Sequence, residues 1–588
     1  MQKKWWVAAM AAMAATVVSF AACGGDDDVQ PLSGTLKKAD LDAIVARQSG
    51  TPPEGFESFL DQVAKDRPEL HQLVQRYKDR SKVALTGDDL LNVSRLLGLH
   101  NRLLNQGPVI DAMARMVALP TVRGNVPPYE DPNIIALGEL VGKMAGDFGL
   151  QYRNVDNRIF EVKLPGSGPD EFGILTHGDV VPVVAAEWVL DDGTQLDPFK
   201  QTRVGDLLYG RGTIDDKGSI ATVLYAMRAV KDSGLPLSRT IRLMIETTEE
   251  SGGEGMNYYK QKTTLPEYNI VLDSKYPAVV AEKGSGSLRA QFAEAVVGTP
   301  AADAIIITAM AGAASASAIP ETATARLQSA DPAALAAQLE AAAPGFINQY
   351  EGQGGKFSIS AKADGTGVDV KVTGSSAHGS RPEEGVNPLP RLALFLQGSG
   401  MKLADNGFAQ ATRYIVDLFG LDYLGNKMGL AYADSFMGPL TMSPTVIQAS
   451  GGKVSVTANV RMPRGNTPEA LSAATQAKVR EWAAANSLAV EVSHSQGNWM
   501  ARDPKGAWLS TLLNVFGDTT GLPAEPVSTA GSTTAKQMPN AINFGPAMPG
   551  KKYTAHNAKE FKEVVDLDAD MQMFTEMLVR IGNLQQMQ

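Results

Sequence analysis

Cysteine is almost absent from this chain of 588 residues, where Cys23 is the single one. No disulfide can therefore form within the chain, and a metal site would have to use histidine and carboxylate ligands. Histidine is also scarce, with six residues in all. Lys and Arg together number 54 against 64 Asp and Glu, which gives a formal net charge of −10. An acidic chain without a long basic run lacks the charge pattern of a nucleic-acid-binding protein.

Neither hydrophobic nor charged residues are unusually scarce or abundant. The hydrophobic fraction is 44% and the charged fraction 20%, which is ordinary for a globular protein. This composition excludes a disordered chain, a collagen-like repeat and a multi-span membrane protein. At roughly 150 residues per domain, the length corresponds to about three or four domains.

The N-terminus has the pattern of an export signal. Two lysines precede a mostly apolar stretch, Trp5 to Phe20, which is shorter than the ~20 residues of a membrane span. The next segment, Phe20-Ala21-Ala22-Cys23, resembles a bacterial lipobox, in which the cysteine becomes the lipidated first residue. We therefore expect a signal peptide over residues 1–22, a lipidated and flexible tether over residues 23–38, and an exported, membrane-anchored protein that faces the periplasm. An ordinary signal peptide with an incidental cysteine is the alternative.

The hydrophobic pattern and composition of the rest of the chain change three times. Apolar residues recur every three to four positions over residues 39–108, which predicts a helical N-terminal extension. Residues 109–283 alternate helical patterns with short apolar runs, which is typical of an α/β sheet. Residues 284–498 contain an Ala-rich stretch, hairpin-like alternation and a helix with Thr467 as its N-cap. The α/β pattern of alternating helical segments and short apolar runs resumes over residues 499–588. We predict an α/β domain in two parts, with a mixed, mostly parallel sheet flanked by helices, and an inserted α+β lid domain.

Ionisable side chains follow three of the short apolar runs. His177 follows the first, Glu249 and Glu250 the second, and Asp273 the third, while Asp215 precedes a helical pattern between the first two. In open α/β sheets, ligands bind at the carboxyl ends of the strands. We therefore expect these side chains to meet at one edge of the sheet.

Together with His556 near the C-terminus, these residues form a metal-binding set. Two imidazoles and three carboxylates suit divalent metals, zinc first, with manganese and cobalt also tolerated. If Asp215 bridges, each of two metals has one histidine, one further carboxylate and a share of Asp215. Glu249 is left over, where a general base for water would stand. Asp179, two residues after His177, would fix the imidazole tautomer.

Three motifs in the α/β part are specific: Thr176-His177-Gly178-Asp179-Val180-Val181-Pro182, Gly210 to Gly218, and Thr248-Glu249-Glu250-Ser251-Gly252. They resemble the first metal motif, the bridging-aspartate motif and the catalytic-glutamate motif of the co-catalytic zinc exopeptidases. That family includes PepV-type dipeptidases, carnosinases, aminoacylases and desuccinylases, and this chain is most similar to the PepV-type and Sapep-type dipeptidases. The resemblance extends from about Val109 to the C-terminus. It implies that one metal is bound by His177 and Asp273, the other by Glu250 and His556, with Asp215 as bridge and Glu249 as base.

The predicted lid contributes further resemblances. Gly374-Ser375-Ser376-Ala377-His378-Gly379 is similar to the family's lid-domain segment whose histidine stabilises the tetrahedral oxyanion, which implies that role for His378. Asn459-Val460-Arg461 resembles the segment whose arginine binds a substrate carboxylate; a surface charge on a strand edge is the alternative for Arg461. Ala530-Gly531-Ser532-Thr533 resembles the glycine-rich loop near that carboxylate. The chain departs from the dipeptidases at Ser317-Ala318-Ile319-Pro320, where they usually carry Asn-Met-Val-Pro.

The resemblance implies a metallo-dipeptidase that cleaves dipeptides or short peptides with two divalent metals. The extended lid favours a monomer that encloses its own site, with a dimer as the alternative. An N-acyl-amino-acid deacylase with the same metals is the nearest alternative function. A non-catalytic peptide-binding lipoprotein is the second.

Overall fold

The computed structural model describes residues 32–503, 505–552 and 554–588. The predicted signal peptide and Cys23 lie outside the described residues. The helices are α1 (Lys38–Arg47), α2 (Phe56–Asp66), α3 (His71–Lys78), α4 (Gly87–Val117), α5 (Pro132–Asp147), α6 (Lys217–Ser233), α7 (Glu254–Tyr259), α8 (Pro332–Tyr350), α9 (Pro388–Gly398), α10 (Gly407–Leu418), α11 (Pro468–Ala485), α12 (Ala507–Thr520) and α13 (Val564–Gly582).

The strands are β1 (Gln151–Val155), β2 (Ile159–Leu164), β3 (Glu171–His177), β4 (Thr202–Val204), β5 (Leu207–Tyr209), β6 (Thr240–Glu246), β7 (Tyr268–Val271), β8 (Ser274–Lys275), β9 (Ala278–Glu282), β10 (Gly284–Ala293), β11 (Ile306–Ala311), β12 (Ala318–Ile319), β13 (Thr322–Gln328), β14 (Ser358–Ala363), β15 (Gly367–Thr373), β16 (Ala377–His378), β17 (Ala433–Asp434), β18 (Gly438–Pro439), β19 (Thr441–Ser450), β20 (Lys453–Met462), β21 (Glu491–Gln496), β22 (Met500–Ala501), β23 (Pro526–Thr529), β24 (Ile542–Asn543), β25 (Pro546–Ala547) and β26 (Phe561–Glu563).

The main sheet has nine strands in the order β1-β2-β6-β3-β7-β24-β9-β22, with β23 also pairing with β9. Its central strands β6, β3, β7 and β24 run parallel. On one side, β1 pairs antiparallel with β2 and β2 with β6; on the other, β9 pairs antiparallel with β24 and β22 but parallel with β23. The predicted mixed α/β fold is confirmed, with parallel pairing concentrated at the centre of the sheet.

Both faces of the central strands are covered, which explains their continuous apolar sequences. On β3, Ile174 packs into the large core together with α4, α6 and α13, whereas Leu175 packs on the other face with residues of α7. Successive side chains of a strand point to opposite faces. Adjacent apolar residues therefore pack against the helices on opposite sides of the sheet. The arrangement leaves the carboxyl ends of β3, β6 and β7 as a shared, polar edge.

The helical N-terminal segment belongs to the same core as the sheet. Residues of α1 to α4 are buried there, and α4 continues without interruption through Pro108. The predicted boundary between residues 108 and 109 therefore does not correspond to a break. The predicted tether also ends earlier than residue 38, because Leu36 has no exposed surface and its N–H donates to Asn92 Oδ1 at 2.8 Å.

The lid has a hydrophobic core of its own, made of residues from Leu288 to Ala483. Two antiparallel four-stranded sheets, β19-β20-β10-β21 and β11-β13-β15-β14, form its framework together with α8 to α11. Helix α11 begins as the sequence predicts, because the Thr467 side chain accepts from the Ala470 N–H at its first turn. The chain passes from the main sheet into the lid between β9 and β10 and returns between β21 and β22. Among the described residues, no helix has the length and apolar character of a membrane span.

Candidate active site

The predicted site residues meet at the carboxyl edge of the central strands. His177 is the last residue of β3, and Asp273 lies two residues after β7. Glu249 and Glu250 form a short 3₁₀ turn that follows β6. Because these three strands run parallel, their ends face the same side. His556 reaches the same place from the loop between β25 and β26.

Asp215 lies between the two histidines. Its Oδ1 is 2.8 Å from His177 Nε2, and its Oδ2 is 3.2 Å from His556 Nε2. His556 Nε2 is also 2.7 Å from Glu250 Oε1, and His177 Nε2 is 3.8 Å from Asp273 Oδ1. The Asp215–Asp216 peptide bond is cis. The five side chains thus form two halves, each with one histidine and one further carboxylate, joined by Asp215.

The donor set fits two divalent cations. The ligand atoms of His177, Asp215 and Glu250 lie within 4.8 Å of one another, and so do those of His177, Glu249 and Asp273. Within residues 32–588, apart from Pro504 and Tyr553, Asp215, Glu250 and Asp273 form ion pairs with the two histidines and with no Lys or Arg. So many buried carboxylates need cations to offset their charge.

The ionisation of the ligands reflects this crowding. Burial lowers the pKa of His177, but hydrogen bonds to Asp179, Asp215 and Asp273 outweigh it and hold that pKa well above its usual value. For His556, burial is likewise outweighed by Glu250 and Asp215, and the pKa is raised to about 10. Burial and the neighbouring Asp215 charge raise the pKa of Asp273 to about 7. Protons and metal ions therefore compete for the two imidazoles.

Asp179 links His177 to the Glu249–Glu250 turn. Its Oδ1 accepts from the Glu249 N–H and its Oδ2 from the Glu250 N–H, each at 3.1 Å. His177 Nδ1 is 3.0 Å from the Asp179 carbonyl oxygen, so Nδ1 donates there and Nε2 faces Asp215. Asp179 thus orients the Glu249–Glu250 turn through its carboxylate, whereas it orients the His177 imidazole through its backbone carbonyl, since its nearer carboxylate oxygen lies 3.6 Å from Nδ1.

Glu249 lies beside the ligands and points into the same cavity. Burial, followed by the charge of Asp273, raises the pKa of Glu249 well above the usual value of a glutamate. A carboxyl group with a raised pKa can accept a proton and return it near neutral pH. The position and the ionisation of Glu249 therefore fit a group that moves a proton.

The lid brings His378 over this edge. The ring of His378 stacks on that of His556 with 4.4 Å between centroids. Its Nδ1 accepts from the Ser380 N–H at 3.1 Å, so the neutral ring has its proton on Nε2. Burial, and then the nearby charges of His556 and Arg461, lower the pKa of His378 well below its usual value. This imidazole is therefore a neutral hydrogen-bond donor.

Arg461 is a buried cation in the wall of the same cavity. It lies on β20 with 4% of its surface exposed, and its Nε donates to Asn459 Oδ1 at 2.8 Å. Burial lowers its pKa to about 10, which leaves it charged at neutral pH. Of the carboxylates in the described ranges, none lies within ion-pair distance of Arg461. A buried guanidinium of this kind suits capture of an anion from outside.

The cavity has a volume of about 170 Å³ and joins residues of the body and the lid. Gly531 and Ser532, in the loop after β23, line it, as do Glu249, His378 and Arg461. The five ligands and all six other predicted site residues, including Asp179 behind the Glu249–Glu250 turn, are thus assembled in one region.

Glu560 supports the site although no sequence motif points to it. Its Oε1 accepts from the N–H groups of Gly212, Ile214 and Asp215, at 3.0 to 3.2 Å, and its Oε2 pairs with Arg211 at 2.6 Å. This buried carboxylate holds the loop that presents Asp215. Its position in the sequence, between Lys559 and Phe561, contains no pattern that indicates this role.

Comparison with known proteins gives concordant results. Residues 173–580, more than half of the chain, match peptidase family M20/M25/M40. The Beta-Ala-Xaa dipeptidase of Lactobacillus delbrueckii subsp. lactis is 27% identical over 435 residues, which cover 74% of this chain and 86% of that protein. The crystal structure of human carnosine dipeptidase 1 superposes with a TM-score of 0.52 at 12% identity, covering 83% of this chain and 99% of that chain. This last likeness shows a shared fold.

Proposed function

This chain belongs to peptidase family M20/M25/M40, and on that premise we propose that it is a metallo-dipeptidase that hydrolyses dipeptides or short peptides. The single observation that supports this best is the position of Asp215 between His177 and His556, with Glu249 in the same cavity. The 27% identity to a dipeptidase agrees with the proposed substrate class. A binding protein without catalysis would have no need of a base beside a metal site.

Two divalent metals would be held by His177 with Asp273 and by His556 with Glu250, with Asp215 shared. Bound there, they would supply Lewis-acid polarisation of a carbonyl group and activation of water. We propose zinc as the native metal, because two imidazoles and three carboxylates suit it; manganese and cobalt tolerate the same ligands.

The residues of the chain would divide the reaction among them. Arg461 binds the free carboxylate of the substrate and fixes the scissile bond over the ligand edge. Glu249 takes a proton from the attacking water, whose oxygen bonds to the carbonyl carbon. The Nε2–H of His378 donates to the carbonyl oxygen as negative charge develops on it. Glu249 then returns the proton to the leaving amine as the C–N bond breaks.

A paired assay tests the substrate class. The metal-loaded full chain is given a dipeptide and its N-acetylated form, and we expect the free dipeptide to be hydrolysed faster. Dominant activity on the acetylated compound would instead identify a deacylase. Glu249→Gln should abolish hydrolysis whether the native chain is a dipeptidase or a deacylase. If the native chain binds peptides but hydrolyses neither substrate, it is a peptide-binding protein.

We also propose that the protein is exported and anchored through Cys23, on the basis of the lipobox-like segment. Mass spectrometry of the N-terminal peptide from membranes should find a lipidated cysteine, and Cys23→Ala should release the protein. An unmodified Cys23 would refute the anchor.

We further propose a monomer, because His378 and Arg461 line the cavity from the lid of the same chain. Light scattering of the purified protein tests this.

A further inference from the structure

The ammonium group of Lys536 lies where three segments of the site meet. Lys536 Nζ is 2.7 Å from Ser532 Oγ, 2.7 Å from the Lys283 carbonyl oxygen and 3.0 Å from the Asn498 carbonyl oxygen. An ammonium has three hydrogens, so these acceptors use its full donating capacity. We propose that Lys536 is a positioning residue that joins the substrate-binding loop to both lid crossovers.

Lys283 and Asn498 are the two places where the chain crosses between body and lid. Lys283 separates β9 of the main sheet from β10 of the lid, and Asn498 separates β21 of the lid from β22 of the main sheet. The two crossovers also contact each other, because the Gly497 N–H donates to the Ser285 carbonyl at 2.8 Å. Lys536 thus donates a hydrogen bond to each of the two segments that connect the body to the lid.

The crossover is directly connected to the predicted carboxylate-binding arginine. Ser285, two residues beyond Lys283, is the register partner of Arg461 in the β10–β20 ladder. Ser285 and Arg461 both line the cavity. We therefore expect a displacement of the Lys283 carbonyl to shift Ser285 and, through the β10–β20 ladder, the backbone that carries Arg461.

The same ammonium sets the direction of the Ser532 hydroxyl. The loop is fixed before Ser532 by the Lys283 N–H, which donates to the Thr529 carbonyl at 3.2 Å. It is fixed after Ser532 by Thr533, whose N–H and Oγ1 donate to the Glu282 carboxylate. Because an ammonium can only donate, Ser532 Oγ accepts from Lys536, and its own hydrogen is left to donate into the cavity. In this arrangement Ser532 presents a donor to an anionic substrate group.

This inference rests on the proposed function, because the anionic group is the substrate carboxylate. Lys536→Met removes the ammonium and keeps an unbranched side chain. We expect KM for a dipeptide to rise about tenfold, as befits loss of a charged hydrogen bond, with a smaller change in kcat. Hydrogen exchange of the metal-loaded protein should accelerate together in residues 283–287 and 529–533.

Lys427→Met is the matched control. Lys427 Nζ donates to the Val416 carbonyl at 2.8 Å inside the lid, so this variant loses a lysine–carbonyl bond away from the crossovers. KM and exchange in both segments should stay as in the native protein. If Lys536→Met does not fold, Lys536→Gln keeps two donors and should give a partial effect in both readouts.

A double-variant cycle separates positioning from general destabilisation. If Lys536 acts through Ser532, the combined variant with Ser532→Ala should raise KM no more than the larger single effect. Effects that multiply, or exchange that changes in neither or only one segment, would overturn the inference. Should the native chain fail to hydrolyse any dipeptide, the proposed function fails, whereas the exchange experiment still tests the link made by Lys536.

Discussion

Replacing Asp179 by asparagine tests the scaffold of the site without touching a proposed ligand. The Asp179 carboxylate accepts two backbone N–H groups, from Glu249 and Glu250, each at 3.1 Å. An asparagine keeps one acceptor oxygen and turns an NH₂ group towards the other N–H, so one bond is lost and the second becomes neutral. A hydrogen bond to a charged acceptor contributes about 1.5–3 kcal/mol.

If that loss appears in the transition state, kcat/KM should fall about 10- to 150-fold, since about 1.4 kcal/mol corresponds to a factor of ten. The assay is dipeptide hydrolysis at saturating metal, alongside metal affinity measured by competition with a chelator, which we expect to weaken by about 10- to 100-fold. Asp192→Asn is the control, because this exposed aspartate has local partners such as the Thr194 N–H, which donates to it at 2.9 Å. An Asp179→Asn enzyme within threefold of the native rate would refute the reasoning.

Three further results follow from the structure. His378→Ala should lower kcat by about 10²–10³ with unchanged metal content, measured by elemental analysis of the same sample; a loss of metal would instead assign it to the metal site. Metal affinity should rise between pH 6 and 8, with protons released, because the raised pKa values of His177 and His556 keep both imidazoles protonated until metal displaces those protons; calorimetry in two buffers of different ionisation enthalpy checks this, and binding without proton release would contradict it. Leu36→Ala should lower the free energy of unfolding by about 2–5 kcal/mol in urea, whereas a change below about 0.5 kcal/mol would restore the idea of a free tether up to residue 38.

The sheet edge could be predicted because its signal is local. A buried parallel strand has a continuous apolar sequence, and the side chain that follows it lies at the ligand-binding edge, as His177 and Asp273 do. The order of these residues along the chain therefore indicated their spatial grouping. His378 and Arg461 have no such local signal, and only their resemblance to family segments indicated a role.

Other features depend on contacts that the sequence does not encode locally. Glu560 holds the Asp215 loop from 345 positions away, and no periodic pattern links the two. Helix α4 passes Pro108, where local preference predicts a break costing about 3 kcal/mol. Buried residues on both sides, such as Val93 and Met113, offset that cost through the common core. Long-range contacts therefore determine both features. For α4 they oppose the local sequence preference, and for Glu560 no local pattern exists.

The lid is inserted into the main sheet at a single place, because its two crossovers lie side by side. Strands β9 and β22 are hydrogen-bonded neighbours, with Glu282 opposite Met500, so the excursion of more than two hundred residues starts and finishes at adjacent points. A tight turn in its place would leave the register of the nine-stranded sheet intact. Such a trimmed protein would keep the five residues proposed as metal ligands. It would lack Arg461 and His378, the residues proposed to bind the substrate carboxylate and to donate to the carbonyl oxygen. Under the proposed function, the body therefore carries the metal-binding residues together with Gly531 and Ser532, while the lid adds two substrate contacts that a body alone would not have.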